Sequence, residues 1–245
     1  MNPITPDKFD AVLFDLDGVL TATAKVHAAC WKRLFDEFLK EREAVTGEPS
    51  KPFDIVEDYK RYVDGKLRYE GVRSFLGSRG IDLPEGTPDE PPNNRTICGL
   101  GNRKDAMVQE VLEANGVDVY EGSVRLVERV RGGGIRTAVV SASKNCRAVL
   151  EAARISDLFD QVVDGEVAER LRLPGKPEPA TYLTAAERLG VEPARAVVVE
   201  DAISGVQAGR TGGFGLVIGV DRKGDPESLR RSGADIVVGD LGELL

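Results

Sequence analysis

The feature that most narrows the fold is a gap between strands. Phe9-Asp10-Ala11-Val12-Leu13-Phe14 alternates, then runs apolar, and ends in Asp15-Leu16-Asp17-Gly18. That reads as a short buried strand carrying two carboxylates to its C-terminal end. Strand patterns return only after residue 118, and then they alternate with helices. Arg136-Thr137-Ala138-Val139-Val140, Gln161-Val162-Val163, Ala196-Val197-Val198-Val199, Phe214–Val220 and Asp235–Val238 are apolar and largely β-branched. Helices are expected between them, near 122–131, 144–153 and 178–189. Such runs belong to a parallel sheet covered on both faces. The first strand must join that sheet, so the intervening chain is an insertion.

The insertion reads as all-helical. Val26, Ala29, Cys30, Leu34, Phe35, Phe38 and Leu39 recur at helical spacing, and Gly47–Pro52 breaks the pattern. Further helical stretches are expected around 54–63, 68–78 and 102–115. The Pro-rich segment 81–96 reads as a long irregular loop. The expected division is therefore an α/β core, residues 1–22 with 119–245, and a helical domain, residues 23–118.

Composition removes several function classes. The 245 residues carry a formal net charge of −8, which lacks the basic footprint of a nucleic-acid binder. No apolar run is long enough to cross a membrane, and the first residues lack the charged and apolar regions of a secretory signal. Cys30, Cys98 and Cys146 form no zinc or disulfide pattern, so a reducing cytoplasm is expected.

Four strand ends carry polar groups, and parallel strands bring those ends to one edge. Asp15 and Asp17 follow the first strand; Ser141, Lys176 and Glu200-Asp201 lie at or beyond the later ones. One carboxylate can attack phosphorus, and a second can carry the proton of the leaving oxygen. A hydroxyl and an amide at Ser141, where a helix is expected to start, suit a phosphate. A lysine supplies a mobile positive charge for the same anion. An acidic pair suits Mg²⁺, which takes few carboxylates together with water and phosphate oxygens. Each fragment alone has an ordinary reading: Asp-x-Asp-Gly as an acidic turn, Ser141 as a helix cap, Lys176 as a surface loop, Glu200-Asp201 as a cap and dipole partner. Their joint placement at strand ends argues for chemistry.

Asp15-Leu16-Asp17-Gly18-Val19-Leu20-Thr21, Ser141, Lys176 and Glu200-Asp201 together resemble the four motifs of the haloacid dehalogenase superfamily, and the resemblance covers essentially the whole chain. Within it the chain is similar to the β-phosphoglucomutase branch, whose helical cap follows the first motif. The resemblance implies an aspartyl-phosphate on Asp15 and acid–base work by Asp17. It implies phosphate and substrate contacts from Gly18, Thr23, His27, Trp31, Arg68, Lys104, Ser141, Ala142, Ser143, Lys144, Asn145 and Lys176. It implies Mg²⁺ on Asp15, the Asp17 carbonyl oxygen and Asp201, with Glu200 close by. The expected reaction interconverts β-glucose 1-phosphate and glucose 6-phosphate through the 1,6-bisphosphate. The expected partners are sugar phosphates, with no nucleic acid and no membrane. A monomer or weak homodimer and a link to a disaccharide phosphorylase complete the expectation.

Alternatives stay open at this point. A sugar-phosphate phosphatase would use the same core motifs, and a phospho-acceptor signalling domain would also use a strand-end aspartate, a hydroxyl and a lysine. His27 and Trp31 share a helix face, which a core histidine packed on an indole would also explain. Trp31 also fits the cap core, Arg68 fits a solvated surface, and Arg103 could stand in for Lys104. Ala22 stands where relatives of this branch have an acid.

Overall fold

The computed structural model describes residues 3–245. Six strands form one fully parallel sheet in the order β3-β2-β1-β4-β5-β6. They are β1 (Ala11–Phe14), β2 (Arg136–Val140), β3 (Gln161–Val163), β4 (Ala196–Glu200), β5 (Leu216–Val220) and β6 (Ile236–Val238). This is the doubly wound Rossmann-like order, in which the direction of winding reverses beside β1. Phe14 pairs with Val139 on one side and Val199 on the other, so the β1, β2 and β4 ends lie level. Successive β1 residues face opposite sides of the sheet. Ala11 and Leu13 share a core with Val198, Tyr182, Ala185 and Leu189.

Two compact units divide the chain. The first runs to Thr23, adds Gly65–Leu67, and resumes at Val117. Its helices are α4 (Glu121–Gly132), α5 (Cys146–Ala152), α6 (Gly165–Leu171), α7 (Ala180–Leu189), α8 (Ile203–Thr211) and α9 (Pro226–Ser232), numbered after the three below. The outgoing and returning chains pair where this unit gives way to the other. Ala22 donates to the Asp118 carbonyl at 2.9 Å and Tyr120 to the Leu20 carbonyl at 2.9 Å.

The second unit comprises Ala24–Asp64 and Arg68–Gly116. It holds α1 (Ala24–Thr46), α2 (Arg68–Ser78) and α3 (Ile97–Asn115). Its core is aromatic: the Phe35 ring lies 4.0 Å from Phe75, 5.3 Å from Phe53 and 5.2 Å from Trp31. Segment 81–96 is irregular, as expected. The Asn102 amide fastens it by donating to the carbonyls of Pro88 at 3.1 Å and Glu90 at 2.9 Å.

Three local expectations need correction. The helix expected around 54–63 is largely the π-helical turn Tyr59–Val63, closed by the Asp64 amide on the Tyr59 carbonyl at 3.0 Å. Asp54 accepts from the amides of Val56 and Glu57 as a helix cap does, so the helical stretch begins just after it. The helix after β2 begins at Cys146, not near 144. The Ser141 hydroxyl accepts from the Ser143 amide at 3.1 Å and the Ser143 hydroxyl from the Asn145 amide at 3.2 Å. These local bonds compete with helix formation. Ser141 therefore sits in a loop, and its fitness for an anion does not come from a helix end.

Candidate active site

Asp15 follows β1, and its amide donates to the Val199 carbonyl at 2.9 Å, which extends the ladder one step. The side chain lands beside Lys176, from the loop preceding α7. Lys176 Nζ lies 2.6 Å from Asp15 Oδ1, 2.5 Å from Glu200 Oε1 and 3.3 Å from the Val140 carbonyl. An ammonium has three donors, and all three are used. Lys176 and Glu200 are 3% and 0% exposed, so these charges persist only because they pair. Burial works to lower the Lys176 pKa, but Asp15 and Glu200 outweigh it and hold the ammonium well above its ordinary value. Burial pushes the Asp15 carboxyl up, with Glu200, Asp17 and Asp201 adding to the effect and Lys176 opposing it.

Asp17 stands two residues further on, bridged to Thr21. Thr23 donates to Asp17 Oδ1, and the Thr21 and Thr23 hydroxyls are 2.7 Å apart. Thr21 in turn donates to the Leu16 carbonyl at 3.2 Å. This hydroxyl relay fixes the second carboxylate against its own loop. Gly18 is required here on two counts: its φ is +90°, and a Cβ would overlap the Asp201 carboxylate. Arg222, just past β5, donates to the Gly18 carbonyl at 2.8 Å and lies 3.6 Å over the Tyr120 ring.

Carboxylate oxygens of Asp15, Glu200 and Asp201 lie within 4.8 Å of one another. The donor set is all oxygen and acidic, which fits a hard divalent cation. Both oxygens of Glu200 are engaged. Its Oε1 accepts from Lys176 and, at 3.0 Å, from the Tyr182 hydroxyl, while Oε2 accepts from the Ala202 amide at 3.0 Å.

The other expected residues divide by unit. Ser141 is buried, and with Ala142, Gly175, Lys176, Thr181 and Leu67 it lines a small recess. Ser143 and Asn145 form the turn after it, and Lys144 Nζ meets Glu169 at 2.6 Å. In the helical unit, Lys104 Nζ lies 2.7 Å from His27 Nδ1 and 5.1 Å from the Trp31 ring centre. Lys104 is the buried member of its pair; Arg103 turns to Glu37 at 2.6 Å and Glu41 at 3.4 Å on α1. Trp31 packs within the aromatic core. Arg68 forms an ion pair with Asp105 at 2.6 Å. The sequence 65–68 is split: Gly65–Leu67 pack with the α/β unit and Arg68 opens α2 of the other.

Sequence reasoning did not pick out Tyr182, Asp105, Arg222 or Lys223, whose Nζ lies 3.7 Å from Asp201 Oδ2. Tyr182 carried a signal. It falls on the same α7 face as Ala185, Ala186 and Leu189, and a phenol in an apolar stripe needs a buried partner.

A family model described as haloacid dehalogenase-like hydrolase matches residues 9–213. A β-phosphoglucomutase of Mycobacterium bovis is 50% identical over 98% of this chain and 93% of its own length. A β-phosphoglucomutase of Bacillus subtilis is 30% identical over 96% of this chain and 91% of its own. In fold, the chain resembles the crystal structure of a Clostridium difficile β-phosphoglucomutase, with a TM-score of 0.76 over 97% of this chain and 93% of that one, at 24% identity.

Proposed function

The chain belongs to the haloacid dehalogenase-like hydrolase family, and from that premise we propose that it is a phosphohexomutase interconverting β-glucose 1-phosphate and glucose 6-phosphate. The observation that carries the reading is the full-length match to the mycobacterial relative, which takes in the helical unit as well as the α/β core. The phosphatase reading is weaker, because the core motifs serve it equally and the full-length relatives do not favour it.

The geometry supports a two-step exchange. An Asp15 carboxylate oxygen forms a bond to phosphorus as the bond from phosphorus to the sugar oxygen breaks. Asp17 delivers a proton to that departing oxygen. That step starts from the bisphosphate and releases glucose 6-phosphate; it is preceded by one in which Asp17 takes the proton from the 6-hydroxyl of β-glucose 1-phosphate, whose oxygen attacks the phosphorus carried on Asp15 and frees its carboxylate. β-Glucose 1,6-bisphosphate is the species that turns round between the steps. Thr23 keeps the Asp17 carboxylate aimed, Ser141 and the neighbouring loop amides hold the phosphoryl oxygens, and the Lys176 ammonium, fixed beside Asp15, sets its charge against them. Most of the acceleration comes from positioning and fixed charge.

Asp15, Asp201 and the Asp17 carbonyl would hold Mg²⁺, which supplies positive charge against the phosphoryl oxygens. Residues 23–118 serve as the cap, with Arg68 taking the phosphate that is not reacting and His27 and Lys104 facing the sugar. Gly18, Ala142, Ser143, Lys144 and Asn145 complete the phosphate surroundings. Among the described residues no helix is long and apolar enough to cross a membrane. A cytoplasmic monomer or weak dimer, supplied by a disaccharide phosphorylase, belongs to the same reading.

A coupled assay tests it: glucose 6-phosphate formed from β- but not α-glucose 1-phosphate, stimulated by the bisphosphate and dependent on Mg²⁺. Inorganic phosphate released faster than glucose 6-phosphate is formed would hand the site to the phosphatase reading.

A further inference from the structure

Both carboxylate oxygens of Glu200 have protein partners, three in all. Lys176 and Tyr182 donate to one oxygen and the Ala202 amide to the other. The residue is fully buried, as is Tyr182. On the α8 side the space is left by Gly205, where a Cβ would overlap the same carboxylate. The ring of Tyr182 also lies 5.0 Å from Lys176 Nζ. These three bonds hold the carboxylate to Lys176, Tyr182 and the Ala202 amide, although one of its oxygens lies within 4.8 Å of an oxygen of Asp15 and of Asp201.

We propose that Tyr182 is a positioning residue of the phosphoryl-transfer centre: its hydroxyl, with the Ala202 amide and the space left by Gly205, locks Glu200 onto Lys176 and keeps it from ligating the cation. The lock has two consequences. Lys176 is aimed at Asp15, because Glu200 holds it from the far side. The cation meets two carboxylates and not three, which suits Mg²⁺ and disfavours Ca²⁺, a cation that takes 6–8 oxygen ligands. The inference rests on the mutase reading for its kinetic consequence and on geometry alone for its metal consequence.

The test is calorimetric titration of the metal-stripped full chain with Mg²⁺ and separately with Ca²⁺. Tyr182→Phe keeps the ring and removes only the hydroxyl. The expected result is a shift of the Ca²⁺-to-Mg²⁺ affinity ratio toward Ca²⁺ by roughly threefold or more, as the released Glu200 adds a ligand. The shift should vanish when Tyr182→Phe is placed on a Glu200→Gln background, because an amide supplies no third charge; a packing role for Tyr182 would give the same effect in both. In turnover, Tyr182→Phe should lower kcat by about two- to tenfold, the size of one hydrogen bond, with KM little changed. Gly205→Ala puts a Cβ against the same carboxylate and should shift the ratio in the same direction, which keeps the test valid if Tyr182→Phe does not fold. An unchanged ratio in a folded Tyr182→Phe or Gly205→Ala protein overturns the proposal, as does a shift that survives Glu200→Gln. If the wild-type chain shows no mutase turnover, the function reading fails while the metal ratio still decides this one.

Discussion

Replacing Lys176 by Met tests the charge balance on which the site depends. Methionine has similar length, so the substitution removes a charge and three donors while leaving little void. Asp15 Oδ1, Glu200 Oε1 and the Val140 carbonyl each lose their Lys176 contact in a region nearly closed to water. Removing one partner of a buried ion pair costs about 3–5 kcal/mol, chiefly because the stranded charge stays desolvated. At about 2–4 °C per kcal/mol for a chain of this size, the melting temperature should fall by roughly 6–20 °C. The sign of the pH dependence follows. Without Lys176 the Asp15 carboxyl, already pushed up by burial, loses the charge that opposed that effect and holds its proton more tightly when folded than when unfolded, so the folded state binds more protons. Stability of the variant then falls as pH rises from the ordinary carboxylate range. The deficit against wild type should be small near pH 4 and full near pH 8. Mg²⁺ at one hundred times its dissociation constant should stabilise the variant by about 2.7 kcal/mol over chelator. Thermal and denaturant melts at both pH values, with chelator or Mg²⁺, measure all of this. A Lys176→Met protein as stable as wild type at pH 8 in chelator would refute the reasoning, since the carboxylates would then need no internal counter-charge.

Asp15→Asn should form no phosphoenzyme, because a carboxamide is a poor nucleophile toward phosphorus; intact-mass analysis after exposure to bisphosphate reads this directly. Arg68→Ala should raise the KM for β-glucose 1-phosphate by roughly ten- to 150-fold, the equivalent of a charge-assisted bond of about 1.5–3 kcal/mol, with slow hydrolysis of the phosphoenzyme unchanged. That phosphate must compete with Asp105, which already holds the guanidinium at 2.6 Å, so Asp105→Asn should lower the KM. Asp10→Asn should destabilise the chain at neutral pH and not at acid pH. Hydrogen bonds from Arg195 hold the Asp10 carboxyl below its ordinary 3.8, so its stabilisation is present above that value and lost as pH falls below it. Melts of both proteins across pH 3–7 should therefore converge at the acid end.

What the sequence made legible was what local chemistry controls. The β-branched runs gave the parallel sheet, and the polar groups at their ends do lie together, Asp15 and Glu200 on Lys176 with Asp201 beside them. Two short helices were missed although their signals were present: α6 has Asp164 accepting from the Val167 amide, and α9 has Asp225 as cap with Pro226 following. Seven residues are too few for a hydrophobic period to stand out, so the cap is the only mark. The start of α5 was misplaced because serine hydroxyls both cap helices and delay them, and residue type alone does not say which.

The remaining residues were illegible for a different reason. Gly65–Leu67 and Arg68 are contiguous in sequence, yet the first three join the α/β unit, where a Cβ on Gly65 would meet the Ser204 hydroxyl. The sequence around 65–68 does not show the break between units. Tyr182, Asp105 and Arg222 act through partners distant in the chain: Tyr182 on Glu200, Asp105 on Arg68, Arg222 on Gly18. Motifs report the groups that would touch a substrate, because chemistry restricts their type and spacing. The groups that hold those side chains in place are restricted only by reach, and many residue types can reach. A buried charge makes them visible in structure, since each hydrogen-bond donor on Lys176 and each oxygen of Glu200 must be matched. Following those matches outward from Lys176 leads through Glu200 to Tyr182, a residue with no place in any phosphoryl-transfer motif and a direct hold on the carboxylate next to one.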